Sequence, residues 1–156
     1  MYTLLLVEDE AMELLALKYA VSTNFGDLFR IIEATDGNTA LDLCQKYHPE
    51  LIIADINIPG ITGLDLIEAV NKLKFDTAIL ITTAYDKSGY IRRALEMGVI
   101  SYLLKPIDVR ELNLAECASL ISITNNPSGY NPYRYPENNA YRANLVLDAM
   151  LEQGKI

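Results

Sequence analysis

Charged and hydroxyl side chains recur at the ends of short apolar segments of this sequence, where they could share one site. Three carboxylates, one hydroxyl and one ammonium group occupy such positions: Glu8, Asp9, Asp55, Thr83 and Lys105. Carboxylates a few ångströms apart repel one another, so either one of them takes up a proton or a cation joins them. Mg²⁺ suits such a cluster because it accepts carboxylate and carbonyl oxygens and can still coordinate a phosphate oxygen.

The chemistry that this set favours is transfer of a phosphoryl group to a carboxylate. With a cation screening its charge, Asp55 can act as a nucleophile on phosphorus and become an aspartyl phosphate. A lysine and Mg²⁺ can neutralise the charge of the transferred group, so Lys105 and Thr83 are expected to contact its oxygens. Each residue alone is typical of a solvated surface, and only their recurrence at successive strand ends indicates a site.

The elements that must position these residues alternate between strand and helix. Short apolar runs predict strands at residues 3–7, 29–34, 51–54, 78–82 and 101–104. Helical periodicity predicts helices at residues 11–23, 39–47, 64–72, 88–97 and 109–121. Thr62 with Asp65, and Asp108 with Glu111, have the pattern of N-terminal caps, and Gly98 is expected to end the fourth helix.

This alternation predicts an α/β fold, a doubly wound five-stranded parallel sheet with helices on both faces. Ligands of such sheets bind at the carboxyl ends of the strands. We therefore expect the polar residues named above to share one rim of the sheet.

A linker is predicted after this domain. Turn and helix-breaking residues gather at 125–129 and again at Pro132 and Pro136. Beyond them an apolar stripe predicts a short C-terminal amphipathic helix: Ala143, Leu147, Met150 and Leu151. The chain is thus divided into a domain of residues 1–123 and a linker with a tail helix at 124–156.

Composition limits the classes of function. The net charge of the 156 residues is −8 and there is no basic stripe, so direct binding of nucleic acid is not expected. No apolar run approaches the roughly 18 residues that cross a bilayer, and the N-terminus lacks the pattern of a signal peptide. A cytoplasmic protein without membrane contact is expected, with Cys44 and Cys117 as reduced, buried thiols.

Five motifs resemble, in order and spacing, the receiver domain of two-component response regulators, the CheY-like superfamily. They are LLLVEDE (4–10), ATDGNTAL (34–41), ADINIPGITGLDLI (54–67), ITTAYD (81–86) and RRALEMGVISYLLKP (92–106). The resemblance covers about residues 3–122 and implies a flavodoxin-like sheet with strand order 2-1-3-4-5.

The resemblance also implies a cation site around a phosphoacceptor. Asp55 would accept the phosphoryl group. Asp9, Asp55 and the main-chain carbonyl of Asn57 would bind Mg²⁺, which Mn²⁺ could replace, and Glu8 would support the cation through water.

Four further roles follow from the resemblance. Thr83 and Lys105 would contact the phosphoryl group. Thr83 and Tyr102 would form the switch that responds to it, and Lys105–Pro106 resembles the family's cis-proline pair.

The function implied is phosphorelay signalling, not enzymatic turnover. A sensor histidine kinase or a phosphotransfer protein would donate to Asp55, and the altered surface would act on an output domain or a downstream protein, as in a transcriptional regulator. The alternative is a metal-dependent phosphohydrolase with an aspartate nucleophile. Such enzymes carry a second aspartate two positions on, where this chain has Asn57, so the receiver is preferred.

The predicted fifth helix is apolar nearly all round, which indicates that something covers it. A homodimer through the region of the fourth and fifth helices is the preferred cover, and the chain's own tail helix is the alternative. A receiver acting alone and a piece of a longer regulator both fit the sequence.

Overall fold

The computed structural model describes residues 1–25, 28–84, 88–99, 101–106 and residue 137. All but Glu137 belong to Met1–Val109, the first of two compact units of the chain. Several predictions lie outside the described residues: the fifth helix and its Asp108 cap, the environment of Cys117, the domain boundary after residue 123, the linker and the tail helix.

The sheet consists of five parallel strands in the order β2-β1-β3-β4-β5. The strands are β1 (Tyr2–Val7), β2 (Phe29–Ala34), β3 (Leu51–Asp55), β4 (Ala78–Thr83) and β5 (Ser101–Leu104). Val7 pairs with Ala34 on one side and with Ala54 on the other, and Asp55 pairs with Thr82. The central strands therefore end at one edge of the sheet, and the predicted fold class and strand order are confirmed.

In the described part of the chain, four helices connect the strands: α1 (Ala11–Phe25), α2 (Gly37–Tyr47), α3 (Gly63–Leu73) and α4 (Ser88–Glu96). Thr62 caps α3 as predicted, since its Oγ1 accepts a hydrogen bond from the main-chain N–H of Asp65 (3.2 Å). Gly98 follows α4 with a φ of 90°, in the left-handed region that glycine enters without strain.

The core lies on both faces of the central strands. Every residue of β3 and β4 is buried, as expected for a parallel sheet covered by helices on both sides. Cys44 of α2 belongs to this core, and burial raises the pKa of its thiol to about 12. Among the described residues, no helix is both long and apolar enough to cross a bilayer.

Candidate functional site

The acidic pair at the end of β1 is divided between the interior and the solvent. Glu8 is 0% exposed, and its main-chain N–H donates to the carbonyl of Ala34 on the neighbouring strand (3.0 Å). Its Oε1 accepts a hydrogen bond from the N–H of Glu10 (3.2 Å). Asp9 is exposed. The first carboxylate is thus fixed by the protein, whereas the second faces solvent.

Asp55 is the last residue of β3, and its carboxylate is held in place by the main chain. The residue is 6% exposed, and Oδ1 accepts a hydrogen bond from the N–H of Asn57 (3.1 Å). The N–H of the next residue, Ile56, donates to the carbonyl of Thr82 (3.2 Å), which continues the sheet beyond Asp55. The carboxylate is therefore rigid at the edge of the core.

The loop after Asp55 is packed closely against the start of α3. The N–H of Gly63 donates to the carbonyl of Ile56 (2.9 Å). A Cβ on Gly63 would lie 2.7 Å from the Cα of Ile56 and still closer to the carbonyl oxygen of Asp55. Only glycine fits here without a shift of the main chain, so α3 supports the segment that carries Asp55 and Asn57.

Lys105 joins the ends of three strands. Its main-chain N–H donates to the carbonyl of Thr83 (2.9 Å). Its Nζ lies 2.7 Å from Oε2 of Glu8 and 2.7 Å from Oδ2 of Asp55, and it makes a third ion pair with Glu13 of α1. The Lys105–Pro106 peptide bond is cis. One ammonium group thus lies among three carboxylates.

The electrostatics of the site reflect burial and opposite charge. Burial raises the pKa of Glu8 above its ordinary value, although the hydrogen bond from Lys105 opposes this shift. Burial alone would lower the pKa of Lys105, but its hydrogen bonds to Asp55, Glu13 and Glu8 outweigh burial and raise that pKa. Lys105 therefore stays protonated, and one ammonium group does not fully compensate the buried Glu8 carboxylate.

Three carboxylates at the ends of β1 and β3 could hold a cation. Glu8, Asp9 and Asp55 each offer an oxygen, and these oxygens all lie within 4.8 Å of one another. Within the described part of the chain, this is the one such group of acidic, histidine or cysteine side chains. An all-oxygen donor set fits a hard divalent cation such as Mg²⁺.

Thr83 and Tyr102 lie on adjacent strands and project from the same face of the sheet. Thr83 ends β4 and is 2% exposed, whereas Tyr102 of β5 is 36% exposed. Tyr102 pairs with Ile81, two residues before Thr83, and side chains two residues apart share a face. Their assignment as a switch stays a prediction, as does the role of the Asn57 carbonyl.

Two features of the site were not predicted from the sequence. One is the ion pair between Glu13 and Lys105. The sequence carried no signal for it, because Asp9 precedes α1 and helical spacing therefore does not relate Glu13 to the acidic pair. The other is Thr82, whose Oγ1 is buried without a hydrogen-bond partner, the one such side-chain atom among the described residues.

Comparison with known proteins indicates the family of the chain. A sequence model of the response regulator receiver domain matches residues 4–115. A transglycosylase model matches residues 93–151, which is less than half of the chain and mostly outside the described residues. We draw no assignment from that second match.

Curated relatives are longer than the matched region. An uncharacterized response regulatory protein of Staphylococcus epidermidis is 33% identical over 112 residues, 72% of this chain and 44% of that protein. The transcriptional regulatory protein HptR of Staphylococcus aureus is 32% identical over 114 residues, 73% of this chain and 44% of that protein. The aligned part of the chain thus spans less than half the length of these relatives.

Solved structures share the fold. A DNA-binding response regulator of the LuxR family from Staphylococcus aureus has a TM-score of 0.64 and 28% identity, covering 81% of this chain and 100% of that one. A response regulator receiver domain protein from Clostridium thermocellum has a TM-score of 0.65 and 20% identity, covering 72% and 88%. With the matched family model and the strand order, these findings show that the chain belongs to the response regulator receiver-domain family.

Proposed function

We propose that the chain is a phosphoacceptor in a two-component pathway and that Asp55 receives the phosphoryl group. The observation that supports this most directly is the 2.7 Å contact between Lys105 Nζ and Asp55 Oδ2, inside a group of three carboxylates. An ammonium group at this position can offset the charge that a phosphoryl group would bring to Asp55. The donor is a sensor histidine kinase or a phosphotransfer protein.

In the proposed reaction, an oxygen of Asp55 forms a bond to phosphorus while the bond from phosphorus to the donor's histidine nitrogen breaks, and the histidine leaves with that electron pair. Asp9, Asp55 and the carbonyl of Asn57 would hold Mg²⁺ or Mn²⁺, with Glu8 acting through water. The bound cation supplies neutralisation of charge on the phosphoryl oxygens. Lys105 and the Thr83 hydroxyl orient the same oxygens.

The proposed output is a change of surface near α4 and β5. The switch pair Thr83 and Tyr102 share a face of the sheet, and phosphorylation would shift a two-state equilibrium between their arrangements. Large apolar side chains are exposed on the same two elements: Tyr90, Leu95, Tyr102 and Leu104. We propose that this surface binds a second copy of the chain, an output domain or a downstream protein.

Regulation of transcription in the cytoplasm is the setting we propose. The relative HptR is named a transcriptional regulatory protein, and the aligned region spans 44% of its length. An output region can therefore lie outside this domain. The domain itself is proposed to act through protein contacts, without binding nucleic acid or membrane and without turnover of a substrate.

The test is intact mass spectrometry after incubation with Mg²⁺ and acetyl phosphate. We expect the mass of one added phosphoryl group, lost in Asp55→Asn and in the presence of a chelator. Asp42→Asn is the matched control because Asp42 is an exposed aspartate of α2 outside the site, and it should take up the group normally.

Two outcomes would contradict the proposal. The first is no added mass in the wild-type protein, and the second is addition that persists in Asp55→Asn. Steady hydrolysis of a generic phosphate ester such as p-nitrophenyl phosphate would instead favour the phosphohydrolase alternative.

A further inference from the structure

Glu13 is a fourth carboxylate at the site and contacts Lys105 directly. It lies in the first turn of α1, where an acidic residue also favours the helix N-terminus. Its side chain is 39% exposed, against 0% for Glu8 and 9% for Asp55. The three partners of Lys105 thus differ sharply in their access to water.

The ammonium group of Lys105 has no hydrogen-bond donor to spare in this arrangement. A lysine carries three N–H donors and no acceptor. Lys105 faces three carboxylates, those of Glu8, Glu13 and Asp55. A phosphoryl oxygen on Asp55 can therefore take a donor from Lys105 only if one of the present contacts is weakened.

The Asp55 contact keeps Lys105 beside the carboxylate that receives the phosphoryl group, so the contact to be weakened is that of Glu8 or Glu13. The exposure of these two side chains indicates which one. Loss of the Glu8 contact would take the ammonium partner from a fully buried carboxylate that bulk solvent does not reach, which is unfavourable. The Glu13 carboxylate can be hydrated by solvent when Lys105 moves away, so this contact is the least costly to give up. The charge of Glu13 also repels an incoming phosphoryl group.

We propose that Glu13 is a positioning residue that holds Lys105 in the unphosphorylated form and thereby slows phosphoryl transfer to Asp55. This inference rests on the proposed function of the site. In the transfer from acetyl phosphate, the Asp55 oxygen bonds to phosphorus and acetate leaves with the electron pair of the broken P–O bond. Lys105 assists once it has turned from Glu13 to the phosphoryl oxygens.

The experiment compares the initial rates of phosphoryl uptake by the wild-type protein, Glu13→Gln and Glu10→Gln, with Mg²⁺ and subsaturating acetyl phosphate. Glu13→Gln should be faster than the wild type by about two- to fivefold, the range expected for one partly exposed ion pair. The gain should shrink as salt is raised, because screening weakens the interaction that was removed. A role in supporting α1 alone would not produce a salt-dependent gain in rate.

Glu10→Gln is the control for net charge. Glu10 has an exposed side chain on the same rim, and Lys105 pairs with Glu8, Glu13 and Asp55 instead. The gain in the rate of phosphoryl uptake should be clearly smaller for Glu10→Gln than for Glu13→Gln. Equal gains in rate for the two variants, or slower uptake by Glu13→Gln than by the wild type, overturn the inference about Glu13. Phosphoryl uptake in the same experiment would still support the proposal that the chain is a phosphoacceptor. No uptake by any of the three proteins overturns the proposed function.

Discussion

At the scale of single residues, the two threonines at the end of β4 have different environments. The main-chain carbonyl of Thr83 accepts the N–H of Lys105, and its side chain lies on the face shared with Tyr102. Thr82 lies beside Asp55, and its Oγ1 is buried with no hydrogen-bond partner in the described part of the structure. A buried hydroxyl without a hydrogen bond lowers the free energy of unfolding.

Thr82→Val should therefore raise the free energy of unfolding by about 1 kcal/mol, because it removes an unsatisfied polar atom at nearly constant volume. Urea denaturation measures this change. Phosphoryl uptake should persist, whereas the neighbouring Thr83→Val, which removes a hydroxyl proposed to contact the phosphoryl group, should reduce uptake. A Thr82→Val protein less stable than the wild type would show that the hydroxyl has a stabilising partner.

Residue patterns predicted part of the site and missed another part for a physical reason. Asp55 and Lys105 could be placed because each follows an apolar strand and parallel strands end at a common edge. The burial of Glu8 beside an exposed Asp9 could not be predicted, because it depends on the direction in which each side chain projects at the end of β1. Contact between Glu13 and Lys105 depends on the orientation of α1 and joins residues far apart in sequence.

At the scale of elements, the start of α3 controls the shape of the loop beyond Asp55. Gly63→Ala should lower the free energy of unfolding by about 1–3 kcal/mol, because the added Cβ meets main-chain atoms that cannot rotate away. Phosphoryl uptake should also slow, since the displaced segment carries Asp55 and Asn57. Thermal unfolding and the mass assay measure the two effects.

Gly89→Ala provides the matched control within a helix. A Cβ on Gly89 meets nothing within 4 Å, so alanine should stabilise α4 by up to about 1 kcal/mol through its higher helix propensity. Similar losses of stability in both variants would contradict the proposed close packing at Gly63.

The ends of the described elements were predicted to within two residues, and the difference at the start of α2 has a local cause. The helical periodicity predicted that α2 begins at Thr39, whereas the helix begins at Gly37. Glycine and asparagine are weak helix formers, so the first two residues carried no helical signal. The helix begins there because Asp36 accepts a hydrogen bond from the N–H of Thr39 (2.9 Å).

At the scale of the whole molecule, the described sheet and acidic cluster are contained in residues 2–105. A protein shortened to residues 1–123 should therefore retain cooperative unfolding and phosphoryl uptake. Light scattering of this protein and of the full chain compares their association. An unchanged dimer excludes the tail as its essential element, and loss of folding would show that residues 124–156 belong to the same cooperative unit.

The bond between Lys105 Nζ and Glu8 joins residues 97 positions apart. Glu8 and Asp55 are both synthesised well before the lysine that forms ion pairs with them. A nascent chain that has not yet reached Lys105 cannot bury Glu8 without leaving its charge uncompensated, which disfavours early closure of the fold. The acceptor site is therefore completed only after all five described strands have been made, so we expect a partly synthesised chain to be a poor competitor for the phosphoryl donor.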